Sequence, residues 1–256
     1  MKKRICTVLF AVVLAVAILL LPACASAQSH LERGGAFVKQ NQWDNAIAEY
    51  TQAIKLAPKQ ALPYYKRGIA YNGKGQFDLA IADFTTAIEI APTMAEALSD
   101  RAIAYGNIGQ LQAALADLDN AIKINPRLAI AYSNRGAAYI SMRKYELAIA
   151  DLTSAINLDP YMAQAYSNRG WAYYNVQYYE SALVDLNAAI YLDPNLAVAY
   201  CNRGWVNYAK KKNDLALADF QKTLGLTQDP VLRQAAEFGI QGIKAAEQGA
   251  KDTTGK

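Results

Sequence analysis

Histidine and cysteine are scarce in this 256-residue sequence, which contains one histidine and three cysteines. Three cysteines are too few for a disulfide framework, and so few Cys and His residues do not make a zinc site. A single histidine also excludes most histidine-based catalytic sets. The composition therefore predicts a protein that is not an enzyme and that has no cofactor and no metal site.

Acidic residues are absent before Glu32, and the only charges in that segment are Lys2, Lys3 and Arg4. Without residues 1–27, 23 basic side chains remain against 22 acidic ones. A chain this close to neutrality has no basic footprint for a phosphate backbone. We therefore predict no nucleic-acid partner.

An uncharged apolar run follows the basic start, from Ile5 to Leu21, and leads into small residues. This order is typical of a secretory signal peptide. The Ala-Ser-Ala sequence at 25–27 fits a signal peptidase site, which predicts a signal peptide over residues 1–27 and a mature chain from Gln28. The protein is then exported to the periplasm, the cell envelope or the extracellular medium.

Two other interpretations of this segment keep the protein at a membrane. Leu21-Pro22-Ala23-Cys24 is similar to a lipoprotein box and would place a lipid on Cys24. An uncleaved N-terminal anchor is the other, although an apolar run of 17 residues is short for spanning a bilayer. No other membrane contact is predicted.

Proline recurs with a period of 34 residues, and a fixed period of this size indicates a repeat array. The prolines are Pro58, Pro92, Pro126, Pro160 and Pro194. Six repeats begin at residues 27, 61, 95, 129, 163 and 197, so that the array covers 28–230 of the mature chain. Pro230 stands two residues later than the period requires, which puts the geometry of the sixth repeat in doubt.

Small and aromatic residues occupy fixed places in these repeats. The twentieth residue is alanine in all six, the eighth is glycine in five, and the eleventh is aromatic in five, with Asn207 in the sixth. The pattern resembles the tetratricopeptide repeat family, and repeat 2 carries it as Tyr64, Gly68, Tyr71, Ala80, Phe84, Ala87 and Pro92. The resemblance implies an all-α fold, a right-handed α-solenoid of helix-turn-helix hairpins.

The segment after the array is again amphipathic. Residues 231–248 place Leu232, Ile240 and Ile243 on one side of a helix and polar residues on the other. This pattern predicts a capping helix that hides the end of the stack from further stacking. Residues 249–256 have no apolar anchor and are predicted to be a flexible tail.

An arginine at the seventh place of each repeat is followed sixteen residues later by an acid. In an antiparallel hairpin these two places face each other, so we predict one arginine–carboxylate pair per hairpin. Because each positive charge has its own counter-charge, a structural role is favoured over phosphate binding.

Asparagine fills the sixth place in repeats 4 to 6, as Asn134, Asn168 and Asn202. This place lies off the seam of the hairpin, on the expected concave wall of the solenoid. An amide both donates and accepts hydrogen bonds, so the column predicts a grip on the backbone of a bound peptide. The alternative is that the asparagines are polar surface multiplied by duplication. Glu32, Lys66 and Asp100 fill the place in repeats 1 to 3.

Aromatic residues extend the same face in the last two repeats, as Trp171 and Tyr174, then Trp205 and Tyr208. Such side chains are frequent hot spots of binding, and we predict that these four also contact a peptide. The alternative is that they fill gaps between repeats, with Tyr208 compensating for Asn207. His30, at a place that is tyrosine in other repeats, and Cys201 are interpreted as packing residues.

These observations predict an exported interaction scaffold that binds a peptide segment or a protein surface in the concave groove. The alternative is a structural, self-associating element of the cell envelope that forms homo-oligomers through its aromatic C-terminal repeats.

Overall fold

The computed structural model describes residues 26–254, and the described residues are all helical apart from short connections. The segments interpreted as signal peptide, lipoprotein box or anchor lie outside the described residues, except for positions 26 and 27. The first helix, α1, spans 26–39 in its described part. The helices that follow are α2 (Trp43–Leu56), α3 (Ala61–Gly73), α4 (Phe77–Ile90), α5 (Ala95–Asn107), α6 (Leu111–Ile124), α7 (Ala129–Ser141), α8 (Tyr145–Leu158), α9 (Ala163–Asn175), α10 (Tyr179–Leu192), α11 (Ala197–Ala209), α12 (Asn213–Leu226) and α13 (Pro230–Thr254).

Two compact units divide the chain, one up to Pro126 and the other from Arg127. In the described part of each, three helical hairpins stack on their neighbours, and each hairpin is one repeat. Both units therefore have the architecture of an α-solenoid, which confirms the predicted fold class. We call the two helices of a repeat its first and second helix.

Small residues allow the two helices of a hairpin to approach closely. The twentieth-place alanines, Ala80 and Ala148 among them, are fully buried. At the eighth place, a Cβ on Gly68 would lie 2.7 Å from the Phe84 ring, and one on Gly170 would lie 2.7 Å from Leu186 Cγ. The hairpin packing therefore depends on missing side-chain volume at the places that the sequence pattern marks.

The turn within each hairpin has one residue in the left-handed region, always the fifteenth of the repeat. In unit one two of the three are glycines, Gly75 (φ 76°) and Gly109 (φ 78°). In unit two all three have side chains: Arg143, Gln177 and Lys211, with φ between 57° and 63°. The turn geometry is thus fixed by the packed helices and does not depend on glycine.

The sixth repeat keeps the helix lengths of the others, despite the displaced Pro230. Pro230 is the first residue of α13, where a missing amide hydrogen costs nothing. Asp229 precedes it and accepts a hydrogen bond from the amide of Val231 at 2.8 Å. The late proline therefore starts the next helix, and the doubt about the sixth repeat is removed.

Helix α13 packs on α11 and α12, with Ala236 and Ile243 buried. Gly239 lies against Phe220, where a Cβ would approach the ring to 2.4 Å. Arg233 donates hydrogen bonds to the carbonyl oxygens of Leu224 and Thr227 near the end of α12. The helix covers repeat 6, and it continues to Thr254, beyond the predicted boundary at 248 and into the segment that was predicted to be a flexible tail.

Candidate functional site

The candidate site is the surface formed by the second, sixth, ninth and twelfth residues of the first helices, which we call the first-helix face. Residues at these spacings lie on one side of a helix. Each of the two units has its own first-helix face.

In unit one, this face contains a cavity of about 400 Å³ between α1 and α3. Leu31, Val38, Leu62 and Ile69 contribute apolar surface to it. Gly35 lines the cavity at the ninth place, and a Cβ there would meet only Tyr50 Oη, at 4.0 Å. The missing side chain of Gly35 therefore leaves room that a ligand group can fill.

Charged side chains of both signs also line this cavity, Glu32 on α1 and Lys66 on α3, the sixth residues of their repeats. Lys39 is the third charged residue of the lining. An apolar cavity flanked by opposite charges suits a segment that carries an apolar side chain between polar groups.

The sixth place of repeat 3, Asp100, is tied to the preceding repeat. Tyr65 Oη donates a hydrogen bond of 2.9 Å to Asp100 Oδ2. Burial raises the pKa of Asp100, although this hydrogen bond and the charge of Lys66 oppose the change. Burial and the nearby carboxylate also raise the pKa of Tyr65. Asp100 therefore helps to join two repeats.

In unit two, the three predicted asparagines lie on α7, α9 and α11, and their side chains differ in exposure. Asn134 and Asn168 are half-buried. Asn168 Oδ1 accepts a hydrogen bond of 2.9 Å from Gln164 Nε2 on the same helix. Asn202 is only 9% exposed, and its Nδ2 lies 3.4 Å from Ser167 Oγ of the preceding repeat. Asn202 thus has a contact between repeats that the sequence did not predict.

Trp171 and Tyr174 form a stacked pair on α9. Their ring centroids are 5.0 Å apart and their planes differ by 20°. Both side chains are half-buried, and Tyr174 also packs near Tyr179 at 6.0 Å. The pair presents a partly accessible aromatic surface on the first-helix face.

Trp205 and Tyr208 are more involved in packing. The Trp205 ring lies 5.2 Å from Phe220 and 6.2 Å from Phe238 of α13. Tyr208 packs against Gly242 of α13, where an added Cβ would lie 3.0 Å from Tyr208 Oη. These contacts fit the alternative interpretation, in which the two residues fill space under the cap, and their role in peptide binding stays a prediction.

The arginine–carboxylate pairs form as predicted. Arg67 Nε is 2.7 Å from Asp83 Oδ2 and its Nη2 is 2.8 Å from Oδ1, a bidentate geometry. Hydrogen bonding to Asp83 raises the pKa of Arg67 although burial opposes it. The equivalent bidentate pairs are Arg101–Asp117, Arg135–Asp151, Arg169–Asp185 and Arg203–Asp219.

Several of these arginines also contact the preceding repeat, which sequence reasoning missed. Nη1 of Arg67 donates to Thr51 Oγ1 at 3.1 Å, and Nη1 of Arg169 donates to Thr153 Oγ1 at 3.0 Å. Threonine at the twenty-fifth place was the available signal, because that place recurs with the same period as the arginine. The arginines therefore join hairpins as well as closing them.

His30 is half-buried in a polar cluster with Glu49 and Arg33, whereas Cys201 is buried in the packing between helices. His30 Nδ1 lies 2.5 Å from Glu49 Oε2 and 2.7 Å from Arg33 Nη2 in repeat 1. Cys201 is a buried free cysteine, and burial raises the pKa of its thiol to about 11. A thiol of this kind is poorly reactive at neutral pH.

Within residues 26–254, no helix has the length and apolar character needed to span a bilayer.

The cavity between α1 and α3 was not predicted, since peptide binding was expected from repeat 4 onward. The signal for it was the ninth-place column, where Gly35 is far smaller than Trp171 or Trp205.

Family models match most of the repeat array. Models described as "TPR repeat" match residues 34–75 and 107–142, and models described as "Tetratricopeptide repeat" match 61–94, 129–162 and 163–196. Together they cover more than half of the chain. No curated protein sequence matches this chain.

Solved structures with the same fold include the APC/C hetero-tetramer Cut9-Hcn1, with a TM-score of 0.78 and 18% identity over 85% of this chain and 42% of that one. This chain therefore spans less than half of that protein. PilF of Pseudomonas aeruginosa gives a TM-score of 0.72 and 13% identity, with 88% and 99% of the two chains covered. YrrB, described as a TPR protein with an unusual peptide-binding site, gives 0.53 and 21%, with 73% and 97% covered.

Proposed function

Because this chain belongs to the tetratricopeptide repeat family, whose fold serves as a protein–protein interaction scaffold, we propose that it binds an extended polypeptide segment on its first-helix face. The match to the family models confirms the relationship predicted from the repeat pattern. Stacked hairpins provide a row of parallel first helices, and such a row suits a ligand with regularly spaced side chains.

The observation that carries the proposal is the cavity between α1 and α3. Its volume of about 400 Å³ and its apolar walls accommodate one large side chain of a bound segment. Glu32 and Lys66 flank the cavity and can pair with charges or backbone groups on either side of that residue. Gly35 is the residue that keeps the cavity open.

The first-helix face of unit two, taken by itself, has a different chemistry. Asn134 and Asn168 carry amides that suit hydrogen bonding to a peptide backbone, and Trp171 stacked on Tyr174 offers an apolar surface. Asn202 is buried between repeats and supports the wall instead. The peptide-binding site that is described for YrrB belongs to a protein of the same fold.

Selection from a phage-displayed random peptide library, with residues 28–256 as bait, tests the proposal. Gly35→Leu fills the cavity and should weaken binding of selected peptides by about tenfold or more, the loss of one buried apolar contact. Ala36→Leu is the matched control, because Ala36 is exposed on the same helix. Equal losses in both variants, or none in either, would contradict the proposed site.

The amides are tested by replacing Asn134 and Asn168 together with alanine. The loss of hydrogen bonds worth roughly 0.5–1.5 kcal/mol each should weaken different peptides to a similar extent, because backbone contacts do not depend on side-chain identity. Trp171→Ala should instead discriminate among peptides. Calorimetry with selected peptides separates the two patterns, and unchanged affinity in the asparagine variant would leave these residues as polar surface.

We also propose that the protein is exported. The basic start, the apolar run and the Ala-Ser-Ala sequence at 25–27 support cleavage that leaves Gln28 as the N-terminus. Mass spectrometry of the native protein should find this terminus. A diacylglycerol on Cys24 would indicate a lipoprotein, and intact residues 1–27 would indicate an uncleaved anchor.

Self-association is a second candidate, supported by exposed aromatic side chains in unit two. Tyr161 and Tyr191 are more than four-fifths exposed, and Phe238 on α13 is also exposed. Light scattering of the purified mature chain tests this alternative. A dimer that Tyr161→Ser or Phe238→Ser dissociates would favour the structural role, whereas a monomer would favour the scaffold.

A further inference from the structure

A second cavity, of about 360 Å³, lies in unit two, away from the first-helix face. It opens beside the second helices of repeats 5 and 6. Leu183 and Leu215 provide apolar walls, and Asn187, Arg203, Asn207 and Lys212 provide polar ones. No part of the proposed peptide-binding face contributes to it.

The eleventh residue of the repeat explains why the cavity is found here. In repeats 2, 3 and 5 this residue is a tyrosine whose ring lies close to the seventh-place arginine. The distances from guanidinium carbon to ring centroid are 5.7 Å for Arg67 and Tyr71, 5.8 Å for Arg101 and Tyr105, and 5.9 Å for Arg169 and Tyr173. In repeat 6 the same place is Asn207, which has no ring.

Repeats 5 and 6 show the consequence for the arginine. Arg169 lies close to two rings, Tyr166 at 5.7 Å and Tyr173 at 5.9 Å. Arg203 keeps the first of these contacts, with Tyr200 at 5.5 Å, and Asn207 replaces the second. The Arg203 side chain is accordingly more exposed than that of Arg169, at 24% against 15%.

The cavity of repeat 6 corresponds to the place that the Tyr173 ring occupies in repeat 5. The Tyr173 ring is bordered by the residues at places seven and sixteen, Arg169 and Tyr178, the latter at 6.3 Å. The equivalent residues of repeat 6, Arg203 and Lys212, line the cavity. Asn207 and Asp219 both line the cavity, with Asn207 Nδ2 3.0 Å from Asp219 Oδ2, and the amide is too short to fill the space of a tyrosine ring.

We propose that this cavity binds an aromatic side chain of a partner polypeptide, of the size of tyrosine, whose ring contacts the Arg203 guanidinium as the Tyr173 ring contacts that of Arg169. A guanidinium is attracted to the face of an aromatic ring at such distances. Leu183 and Leu215 border the ring, and the amide of Asn187 and the ammonium of Lys212 can donate hydrogen bonds to a phenolic oxygen. The site is independent of the first-helix face.

Titration of the mature chain with N-acetyl-tyrosinamide, followed by NMR, tests this site. We expect saturable shifts in the side-chain amides of Asn187 and Asn207, and none with N-acetyl-alaninamide, which lacks the ring. Asn207→Tyr restores the ring of the other repeats and should weaken binding by about tenfold or more, because it occupies the cavity. Gln221→Tyr, an exposed position on α12, is the matched control and should bind as the parent does.

Binding to Asn207→Tyr with the parent's affinity would overturn the proposal. So would shifts that do not saturate, or shifts that N-acetyl-alaninamide reproduces. If circular dichroism finds Asn207→Tyr unfolded, Ala218→Phe takes its place, because Ala218 lines the cavity from an exposed position. The same loss of binding is expected from that variant.

Discussion

The two units share their internal contacts and differ in their surfaces. Both stack hairpins through buried alanines and arginine–carboxylate pairs. On the first-helix face, however, unit one has Gly35, a cavity and the charges of Glu32 and Lys66, whereas unit two has asparagines and the Trp171–Tyr174 pair. Contacts between helices therefore define the repeat, while the accessible residues of the first-helix face differ between the two units.

The strongest destabilisation is expected from variants that test what the units share. Asp83→Ala in unit one and Asp185→Ala in unit two should each reduce the free energy of unfolding by up to about 3–5 kcal/mol, because each leaves a largely buried arginine without its partner. Glu49→Ala should cost less, about 0–1 kcal/mol for its pair with Arg33, because Arg33 is 48% exposed, and it also removes the contact with His30. Denaturation followed by circular dichroism measures all three.

A double variant controls for the size of the removed side chain. Arg169→Met with Asp185→Leu should be less destabilising than Asp185→Ala alone, because no charge is left unpaired. The losses in free energy of unfolding should be similar for Asp83→Ala and Asp185→Ala. If these two losses differ from each other by as much as either differs from the loss in Glu49→Ala, the pair does not contribute equally to the stability of the two units.

A more modest change tests how the units differ at their hairpin turns. Gln177→Gly should stabilise unit two by about 0.5–1 kcal/mol, since the left-handed strain relieved exceeds the entropy that glycine loses on folding. Gly75→Gln should destabilise unit one by a similar amount. Thermal unfolding measures both changes in stability. A loss of stability in Gln177→Gly and a gain in Gly75→Gln would show that these turns are not under backbone strain.

The weakest effect is expected in the sixth-place column. Asp100→Asn gives repeat 3 the residue of unit two and still accepts the hydrogen bond from Tyr65. Burial raises the pKa of Asp100, so the folded protein binds its proton more tightly than the unfolded chain, and stability falls as the pH rises from the ordinary to the raised pKa. The neutral variant should therefore be more stable at pH 7.

The advantage of Asp100→Asn should shrink as the pH falls below the ordinary pKa of aspartate, where both side chains are neutral. Lys66 and Glu96 also act on this carboxyl group, with opposite signs, and both remain in the variant. Glu247→Gln on α13 is the exposed control and should show little change. A gain in stability that does not depend on pH would point to packing instead of charge.

The repeat, the helix pairs and the arginine–carboxylate register follow from the sequence alone, because a period of 34 residues imposes the same close contacts in every hairpin. The sequence was enough to interpret the roles of Gly68, Ala80 and Arg67, since each contacts a neighbour at a fixed sequence distance. The start of α13 at Pro230 was less clear, because one proline can end a helix or begin one.

The packing of the folded chain determines which places of the repeat have free space in front of their side chains. Side chains of other helices decide whether Gly35 leaves a cavity and whether Asn202 is buried against Ser167. They also decide whether Asn207 leaves the Arg203 guanidinium without a second ring contact. A column of residues gives the direction in which a side chain points, because that follows from helix geometry. The space in front of it depends on the summed volumes of residues that are distant in sequence, and packing at close to crystal density makes a difference of one side chain decisive.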